Sequence, residues 1–155
     1  MRILVVSQYF WPENFRINDL VKEWKLRGHQ VTVLTGHPNY PAGEVFPEYR
    51  QNPASFGWFH GVKVHRVPML ARASGSLRLV LNYLSFVLGA SLFGPWKLRD
   101  CRPDVIFVFE PSPVTVGLPA VLLGRLKRCP VVFWALDLWP ETLAAFGVIR
   151  NPRAL

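Results

Sequence analysis

The chain has 155 residues, half of them apolar, which is long enough for one packed domain and short for two. Its 18 lysines and arginines against 10 aspartates and glutamates give a net charge of +8. That excess favours an anionic partner: a nucleic acid, a phosphorylated substrate or an acidic lipid surface. Two cysteines are too few for a disulfide scaffold and lack metal-site spacing.

Strand-like and helix-like segments alternate along the chain, which is typical of a parallel sheet covered on both faces. Residues 2–7 predict the first strand, and a helix is expected to begin near Asn14 and end at Gly28. The apolar stripe of this helix consists of Ile17, Leu20, Val21 and Trp24. Residues 31–35 predict the second strand.

Residues 36–61 break this rhythm. They hold four prolines, so neither a regular helix nor a central strand is expected there. Their aromatic residues, which argue against simple disorder, are Tyr40, Phe46, Tyr49, Phe56, Trp58 and Phe59. A loop this long inside a domain is usually functional, so we predict that it lies on the substrate side.

The second half of the chain continues the alternation. Strands are predicted at residues 62–67, 104–109 and 130–135, and an apolar helix at residues 76–99. A second apolar helix is predicted at residues 114–128, with a kink at Pro119. We predict a Rossmann-like, doubly wound parallel sheet. Because such a domain usually needs one more strand and helix, residues 1–155 are expected to form a domain that is incomplete at its C-terminal end.

Carboxylates follow two neighbouring strands directly, at the sheet edge where open parallel sheets bind ligands. Glu110 and Asp137 are the candidate catalytic residues, because paired carboxylates can hold sugar hydroxyls or act as acid and base. The alternative is that they accept hydrogen bonds from loop amides, and the sequence leaves both open. Glu13 and Glu141 are expected to cap helix N-termini, where the helix dipole favours negative charge.

Other polar and aromatic residues on the same loops are candidates for substrate binding. Arg16 opposes the dipole of the first helix, which indicates either an anionic ligand or a solvated arginine. His37 heads the run His-Pro-Asn-Tyr-Pro, and a solvated loop histidine is the alternative. The full candidate set is Tyr9, Glu13, Asn14, Arg16, His37, Asn39, Tyr40, Ser112, Trp139 and Glu141. No glycine-rich dinucleotide motif, P-loop or metal-ligand spacing is present, so no cofactor or metal is expected.

Residues 77–96 carry a single charge, Arg78, and are formally long enough to span a bilayer. Their polar residues, glycines and proline favour instead a helix with one face on the sheet and an apolar outer face. Arg72 and Arg78 before it, and Lys97, Arg99 and Arg102 after it, are placed to meet acidic headgroups. Plain core packing remains the alternative.

The chain resembles retaining glycosyltransferases of the GT-B fold, specifically the WbuB-like branch of glycosyltransferase family four. The resemblance covers essentially the whole chain, and its most specific pieces are Pro-Asn-Tyr-Pro after the second strand and Asp-Leu-Trp-Pro-Glu after the fifth. The matching segments are Met1-Arg-Ile-Leu-Val-Val-Ser-Gln-Tyr-Phe-Trp-Pro-Glu, Gly28-His-Gln-Val-Thr-Val-Leu-Thr-Gly-His-Pro-Asn-Tyr-Pro-Ala-Gly, Glu110-Pro-Ser-Pro and Asp137-Leu-Trp-Pro-Glu.

The resemblance implies two Rossmann-like domains that face each other across a cleft. The N-terminal domain, which this chain represents, receives a saccharide acceptor, often on an undecaprenyl pyrophosphate carrier. The C-terminal domain, outside these residues, binds the nucleotide-sugar donor. No metal is implied, because basic residues and helix N-termini stabilise the leaving diphosphate. The implied setting is bacterial surface-polysaccharide or lipopolysaccharide synthesis, in the cytoplasm and peripheral on the inner face of the membrane.

Two positions depart from the pattern of the family. Many members have a histidine immediately before the Glu-Pro pair, where this chain has Phe109, and the glycine pair that is common after the first strand is missing around residues 14–16. A second hypothesis is therefore a non-catalytic carbohydrate- or partner-binding remnant without the donor domain. A nucleic-acid module is not expected, because no helix-turn-helix, zinc or RNP pattern is present.

Overall fold

The computed structural model describes residues 1–111 and 113–136, which form a six-stranded sheet in the order β3-β4-β2-β1-β5-β6. The strands are β1 (Arg2–Ser7), β2 (Gln30–Gly36), β3 (Trp58–Phe59), β4 (Val62–Val67), β5 (Val105–Glu110) and β6 (Val131–Ala135). All neighbours pair in parallel except β3, which is antiparallel to β4 at the sheet edge. The predicted doubly wound parallel sheet is confirmed.

Helices cover both faces of this sheet. They are α1 (Arg16–Leu26), α2 (Pro47–Gln51), α3 (Ser76–Lys97) and α4 (Gly117–Lys127). Alternate residues of β1 point to opposite faces: Val5 packs in the core with Ile17 and Val21 of α1, while Leu4 packs in the core with Phe86 of α3. The apolar stripe predicted for α1 is therefore confirmed. The same alternation places α3 and α4 side by side on the other face.

The first helix begins two residues later than predicted, at Arg16. The side-chain amide of Asn18 donates to the carbonyl oxygen of Glu13 and accepts from the backbone N–H of Trp11. These hydrogen bonds hold the chain before Arg16 in a loop, so the helix cannot extend back to Asn14. Gly28 ends the helix as predicted, with a φ of +82° that favours glycine.

The segment 36–61 contains a short helix, contrary to the expectation of no regular helix. Pro47 occupies the first turn of α2, where its fixed φ suits a helix and its missing N–H costs nothing. The segment is held by aromatic packing: the ring of Tyr49 lies 5.5 Å from that of Phe56, which in turn lies 5.2 Å from Trp11. The absence of a central strand was predicted correctly, since β3 is a two-residue edge strand.

The second apolar helix begins later than predicted, which changes the position of Pro119 within it. A short 3-10 turn covers Val114–Val116, and α4 begins at Gly117, so Pro119 lies in the first turn of the helix. The backbone N–H groups of a first turn have no partner within the helix. A proline there breaks no helical hydrogen bond, so the reason for predicting a kink at Pro119 does not apply.

Candidate functional site

The loops after β1 and β2 are joined at the carboxyl edge of the sheet by the side chain of Glu13, which is 3% exposed. One carboxylate oxygen accepts hydrogen bonds from the backbone N–H groups of Asn39 and Tyr40, both at 2.8 Å. The other accepts from the N–H of Phe10 at 3.1 Å. Glu13 therefore bonds loop amides and does not cap a helix, because α1 begins beyond it at Arg16. Burial raises the pKa of this carboxyl.

A second connection runs through Asn39, whose side chain is completely buried. Its amide nitrogen donates to the carbonyl oxygen of His37 at 2.9 Å, and its amide oxygen accepts from the backbone N–H of Arg72 at 3.0 Å. Asn39 thus links the loop after β2 to the loop between β4 and α3. Together with Glu13, it fixes three loops at one edge of the sheet.

Helix α3 contributes a buried polar side chain, Asn82, to the same edge. Its amide oxygen accepts hydrogen bonds from the hydroxyl of Tyr9 at 3.0 Å and from the side-chain amide of Gln8 at 2.7 Å. Its amide nitrogen donates to the carbonyl oxygen of Leu70. Burial raises the pKa of Tyr9 far above its ordinary value, so its hydroxyl stays protonated and able to donate.

Arg66 at the end of β4 is a buried cation that binds backbone carbonyl groups. Its guanidinium donates to the carbonyl oxygens of Gly36, at 2.9 Å, and Trp11, and lies 5.5 Å from the ring of Tyr49. Burial lowers its pKa to about 10, which leaves it charged at neutral pH. These hydrogen bonds bring the loops after β1 and β2 together, so Arg66 supports the position of both loops.

An aromatic wall forms the outer part of this edge. The rings of Tyr9 and Phe15 stack at 5.4 Å with an interplanar angle of 9°, and the ring of Tyr40 lies 5.2 Å from that of Phe15. The guanidinium of Arg72 lies 5.7 Å from the centroid of Tyr40. Phe15, Tyr40 and Arg72 are partly exposed, and Arg72 has no ion-pair partner among the described residues. An aromatic surface beside an available cation suits a sugar that carries phosphate.

The remaining predicted residues lie around this wall. His37 is partly buried, its ring is 5.1 Å from that of Tyr49, and burial lowers its pKa, so the imidazole is neutral at pH 7. Asn14 is exposed. Arg16 is exposed as well and lies 3.7 Å from Asp19 in an ion pair at helical spacing. That pairing agrees with the solvated alternative for Arg16.

The structure describes one of the two candidate catalytic carboxylates, Glu110, but not the other, Asp137. Glu110 ends β5 beside β1, and its side chain has no solvent exposure. Such burial favours anchoring of the loop over direct contact with a substrate. Asp137 lies outside the described residues, as do Ser112, Trp139 and Glu141. Their assignments stay predictions from the sequence.

Two cavities open at the opposite, amino edge of the strands rather than at the predicted site. One, of about 410 Å³, is lined by residues that include Lys63, His65 and Lys97, and the other, of about 580 Å³, lies beside Arg99 and Arg128. Within residues 1–111 and 113–136, no three His, Cys, Asp or Glu side chains come together as a metal site.

Three residues that organise this edge were missed by the sequence reasoning: Gln8, Arg66 and Asn82. Arg66 carried a signal, since it is a charged residue on the same face of β4 as the buried Val62 and Val64. Asn82 carried another, as a polar residue in an otherwise apolar helix. Each signal indicates that the side chain needs a hydrogen-bonding partner, but neither indicates which residue provides it.

Comparison with known proteins identifies the family of this chain. The model of the glycosyl transferase 4-like domain matches residues 14–153. No curated protein sequence matches the chain. Among solved structures, the glycotransferase of kitacinnamycin is 19% identical with a TM-score of 0.56, and covers 98% of this chain, which spans 36% of that one.

Two further solved structures have a similar fold, and they come from proteins of different function. The glycosyltransferase SsfS6 of Streptomyces sp. SF2575, solved with thymidine diphosphate, is 15% identical with a TM-score of 0.55; 96% of this chain aligns with 42% of it. The C-terminal domain of the PF1911 hydrogenase from Pyrococcus furiosus is 16% identical with a TM-score of 0.56, and 86% of this chain aligns with 90% of it.

The chain thus spans roughly two fifths of the two transferases, and these likenesses show the fold only, because the same sheet also occurs in a hydrogenase. The fold occurs in proteins of different function, whereas the family model identifies one family. The chain belongs to the glycosyl transferase 4-like family, with the Rossmann-like architecture found in GT-B glycosyltransferases.

Proposed function

We propose that this chain supplies the acceptor side of a retaining glycosyltransferase, which moves a hexosyl or N-acetylaminosugar group from a nucleotide-sugar to a lipid-linked saccharide. The observation that carries the proposal is the aromatic wall of Tyr9, Phe15 and Tyr40 beside Arg72, in a chain of the glycosyl transferase 4-like family. The thymidine diphosphate bound by the structural neighbour SsfS6 supports a nucleotide-sugar donor.

The geometry supports binding of a sugar with a nearby phosphate. Ring faces of Phe15 and Tyr40 offer apolar contact to a pyranose, and a guanidinium matches phosphate oxygens with paired N–H groups. The loops that carry these groups are fixed by the buried hydrogen bonds of Glu13 and Asn39. Because the wall is fixed in advance, an acceptor does not have to order it on binding.

In the proposed reaction, an acceptor hydroxyl oxygen bonds to the anomeric carbon while the bond from that carbon to the nucleoside diphosphate breaks. The hydroxyl proton passes to a phosphate oxygen of the leaving group, on the same face of the donor sugar. Asp137 is proposed to hold hydroxyl groups of the reacting sugars and Glu110 to position its loop. The retaining outcome, the absence of a metal and the role in surface-polysaccharide synthesis rest on the sequence resemblance alone.

A direct assay tests the proposal. The full-length protein is incubated with a panel of nucleotide-sugars and undecaprenyl pyrophosphate-linked saccharides, with and without EDTA. We expect one donor to give a glycosylated lipid whose new bond keeps the anomeric configuration of the donor, as read by NMR, and EDTA to leave the rate unchanged. Binding of saccharide without transfer from any donor would favour the non-catalytic alternative.

Replacing Asp137 with alanine in the full-length protein is expected to reduce the transfer rate by about tenfold to a hundredfold, the cost of one lost charged hydrogen bond to a substrate hydroxyl. The unfolding midpoint should move far less, because a group that serves the substrate contributes little to the fold. Transfer rates and thermal unfolding measured on the same preparations check this. An unchanged rate, or equal losses of rate and stability, would contradict the assigned role.

Replacing Arg72 with alanine is expected to raise the KM for a pyrophosphate-linked acceptor by about tenfold or more, because a charged hydrogen bond to phosphate is lost. Arg27→Ala is the control, since Arg27 is an exposed arginine that directly follows α1. The same acceptor saccharide without its pyrophosphate should show no difference between Arg72→Ala and the unchanged protein. An equal effect on both acceptors would show that Arg72 supports the loop rather than binding phosphate.

A further inference from the structure

The outward side of helices α3 and α4 is an exposed apolar surface, which we call the α3–α4 face. Leu84, Leu88 and Leu92 of α3 are 48%, 61% and 70% exposed, and Leu118 of α4 is 58% exposed. Leu84, Leu88 and Leu92 follow one another at a spacing of four residues, so they lie along one side of α3, and α4 packs beside that helix. Soluble proteins rarely leave a contiguous apolar patch this extended without an interaction partner.

Helix α3 is long and apolar enough to cross a membrane by length and composition, with about 28% of its most apolar window buried. It nevertheless packs against the rest of the domain from Asn82 to Gly94. Asn82 is bonded to Gln8 and Tyr9, Phe86 and Ala90 are buried in the middle, and Gly94 is buried near the other end. A helix held in this way presents one long side outward and cannot span a bilayer without leaving the sheet.

Charge identifies the kind of partner. The segments 70–99 and 111–136, which include both helices, hold seven lysines and arginines and no aspartate or glutamate. Arg72 and Arg78 lie before or within the first turn of α3, while Lys97 and Arg99 lie at its other end. The ammonium of Lys97 is 5.7 Å from the ring of Trp96, which is 64% exposed. Basic and tryptophan side chains around an apolar strip are typical of a helix in the membrane interface.

We propose that the α3–α4 face docks on an acidic phospholipid surface, with α3 parallel to the bilayer plane and the cations at both ends of α3 against lipid phosphates. This inference deepens the proposed use of a lipid-linked acceptor and rests on the proposed function for its biological purpose. The apolar side chains enter the acyl boundary, and the basic residues select anionic over neutral lipid.

This orientation has a consequence for the site. The loop that carries Arg72 leads directly into α3, and Asn82 of α3 holds Tyr9 of the aromatic wall. The wall therefore lies beside the first turns of a helix that would rest on the lipid surface. An acceptor whose pyrophosphate is anchored at the headgroup level would reach Arg72 without leaving the membrane.

The test is co-sedimentation of the full-length protein with vesicles of phosphatidylcholine alone or mixed with phosphatidylglycerol. We expect the protein to bind only the mixed vesicles, and Leu84→Gln/Leu88→Gln/Leu92→Gln to weaken that binding by roughly tenfold or more. Leu26→Gln is the matched control, because Leu26 is 74% exposed but lies on α1 across the sheet. All four positions are exposed, so we expect the thermal unfolding midpoints to stay close to that of the unchanged protein.

Charge is tested separately with another matched pair. Arg99 and Arg27 each form an exposed ion pair with a neighbouring acid, but only Arg99 lies at the end of α3. We expect Arg99→Gln to weaken binding to the mixed vesicles and Arg27→Gln to leave it unchanged. Binding that survives the triple substitution, equal losses in the α1 controls, or loss of self-association in place of vesicle binding would overturn the proposal. Transfer to a saccharide acceptor without the lipid is read on the same variants, so failure of docking and failure of the transferase assignment are distinguishable.

Discussion

Replacing Glu13 with alanine is expected to lower the free energy of unfolding by about 4 kcal/mol, because it leaves two buried backbone N–H groups and a partly buried one without an acceptor. Those groups belong to the loops after β1 and β2, so the loops should lose their relative positions. The acceptor KM should therefore rise together with the loss of stability. Urea denaturation of the full-length protein measures the first effect and steady-state kinetics the second.

Glu13→Gln is the informative companion. Its amide oxygen can still accept from the N–H groups of Asn39 and Tyr40, while its amide nitrogen faces the N–H of Phe10. We expect about half the destabilisation of Glu13→Ala, since one of three hydrogen bonds is lost and two donors oppose each other. Equal destabilisation by both substitutions would mean that the charge, and not the acceptor geometry, holds the loops.

The pH dependence of stability gives an independent check. Burial raises the pKa of Glu13 above its ordinary value of 4.5, so the folded protein binds this proton more tightly than the unfolded chain. The contribution of this group is therefore fully present below the unfolded-state pKa and is lost as pH rises through the folded-state pKa. The stability advantage of the unchanged protein over Glu13→Gln should therefore widen on acidification across that window, because only the unchanged protein takes up this proton. A constant difference would contradict the raised pKa.

Much of the fold could be predicted because its signals are local. The runs of valine and isoleucine at residues 2–7 and 62–67 match β1 and β4 residue for residue. The apolar spacing in α1 identified the helix and its buried stripe. The helix starts were predicted less well. The start of α1 depends on hydrogen bonds of the Asn18 side chain, and the start of α4 follows a 3-10 turn that the sequence pattern did not indicate.

The candidate site was predictable in place but not in detail. Topology brings the loops after parallel strands to one edge, so Tyr9, Glu13, Asn39 and Tyr40 were expected near one another and are found together. The hydrogen-bond partners of each side chain were not predictable. Gln8 and Asn82 are 74 positions apart in sequence, and no spacing rule connects them. The carboxylate of Glu13 could be assigned to loop amides only once the path of the loop after β2 was known.

Replacing Gly89 with alanine is expected to lower the free energy of unfolding by about 3 kcal/mol, although alanine is the better helix former by about 1 kcal/mol. A β-carbon at Gly89 would lie 2.3 Å from the carbonyl oxygen of Pro68, a backbone atom that cannot rotate away. Helix α3 would have to move off the end of β4. That shift would displace the loop to Arg72 and the hydrogen bonds of Asn82, so transfer activity should fall as well.

The control is in the same helix. A β-carbon at Gly94 would lie 3.3 Å from a terminal methyl group of Leu34 and 3.7 Å from one of Leu123, both on flexible side chains. Gly94→Ala should therefore be within about 1 kcal/mol of the unchanged protein, because a small repacking is offset by the gain in helix propensity. Urea denaturation of both variants separates the cases. If Gly89→Ala were as stable as Gly94→Ala, the close approach of α3 to β4 would not position the aromatic wall beside the α3–α4 face, and the coupling between membrane docking and acceptor binding would lose its structural basis.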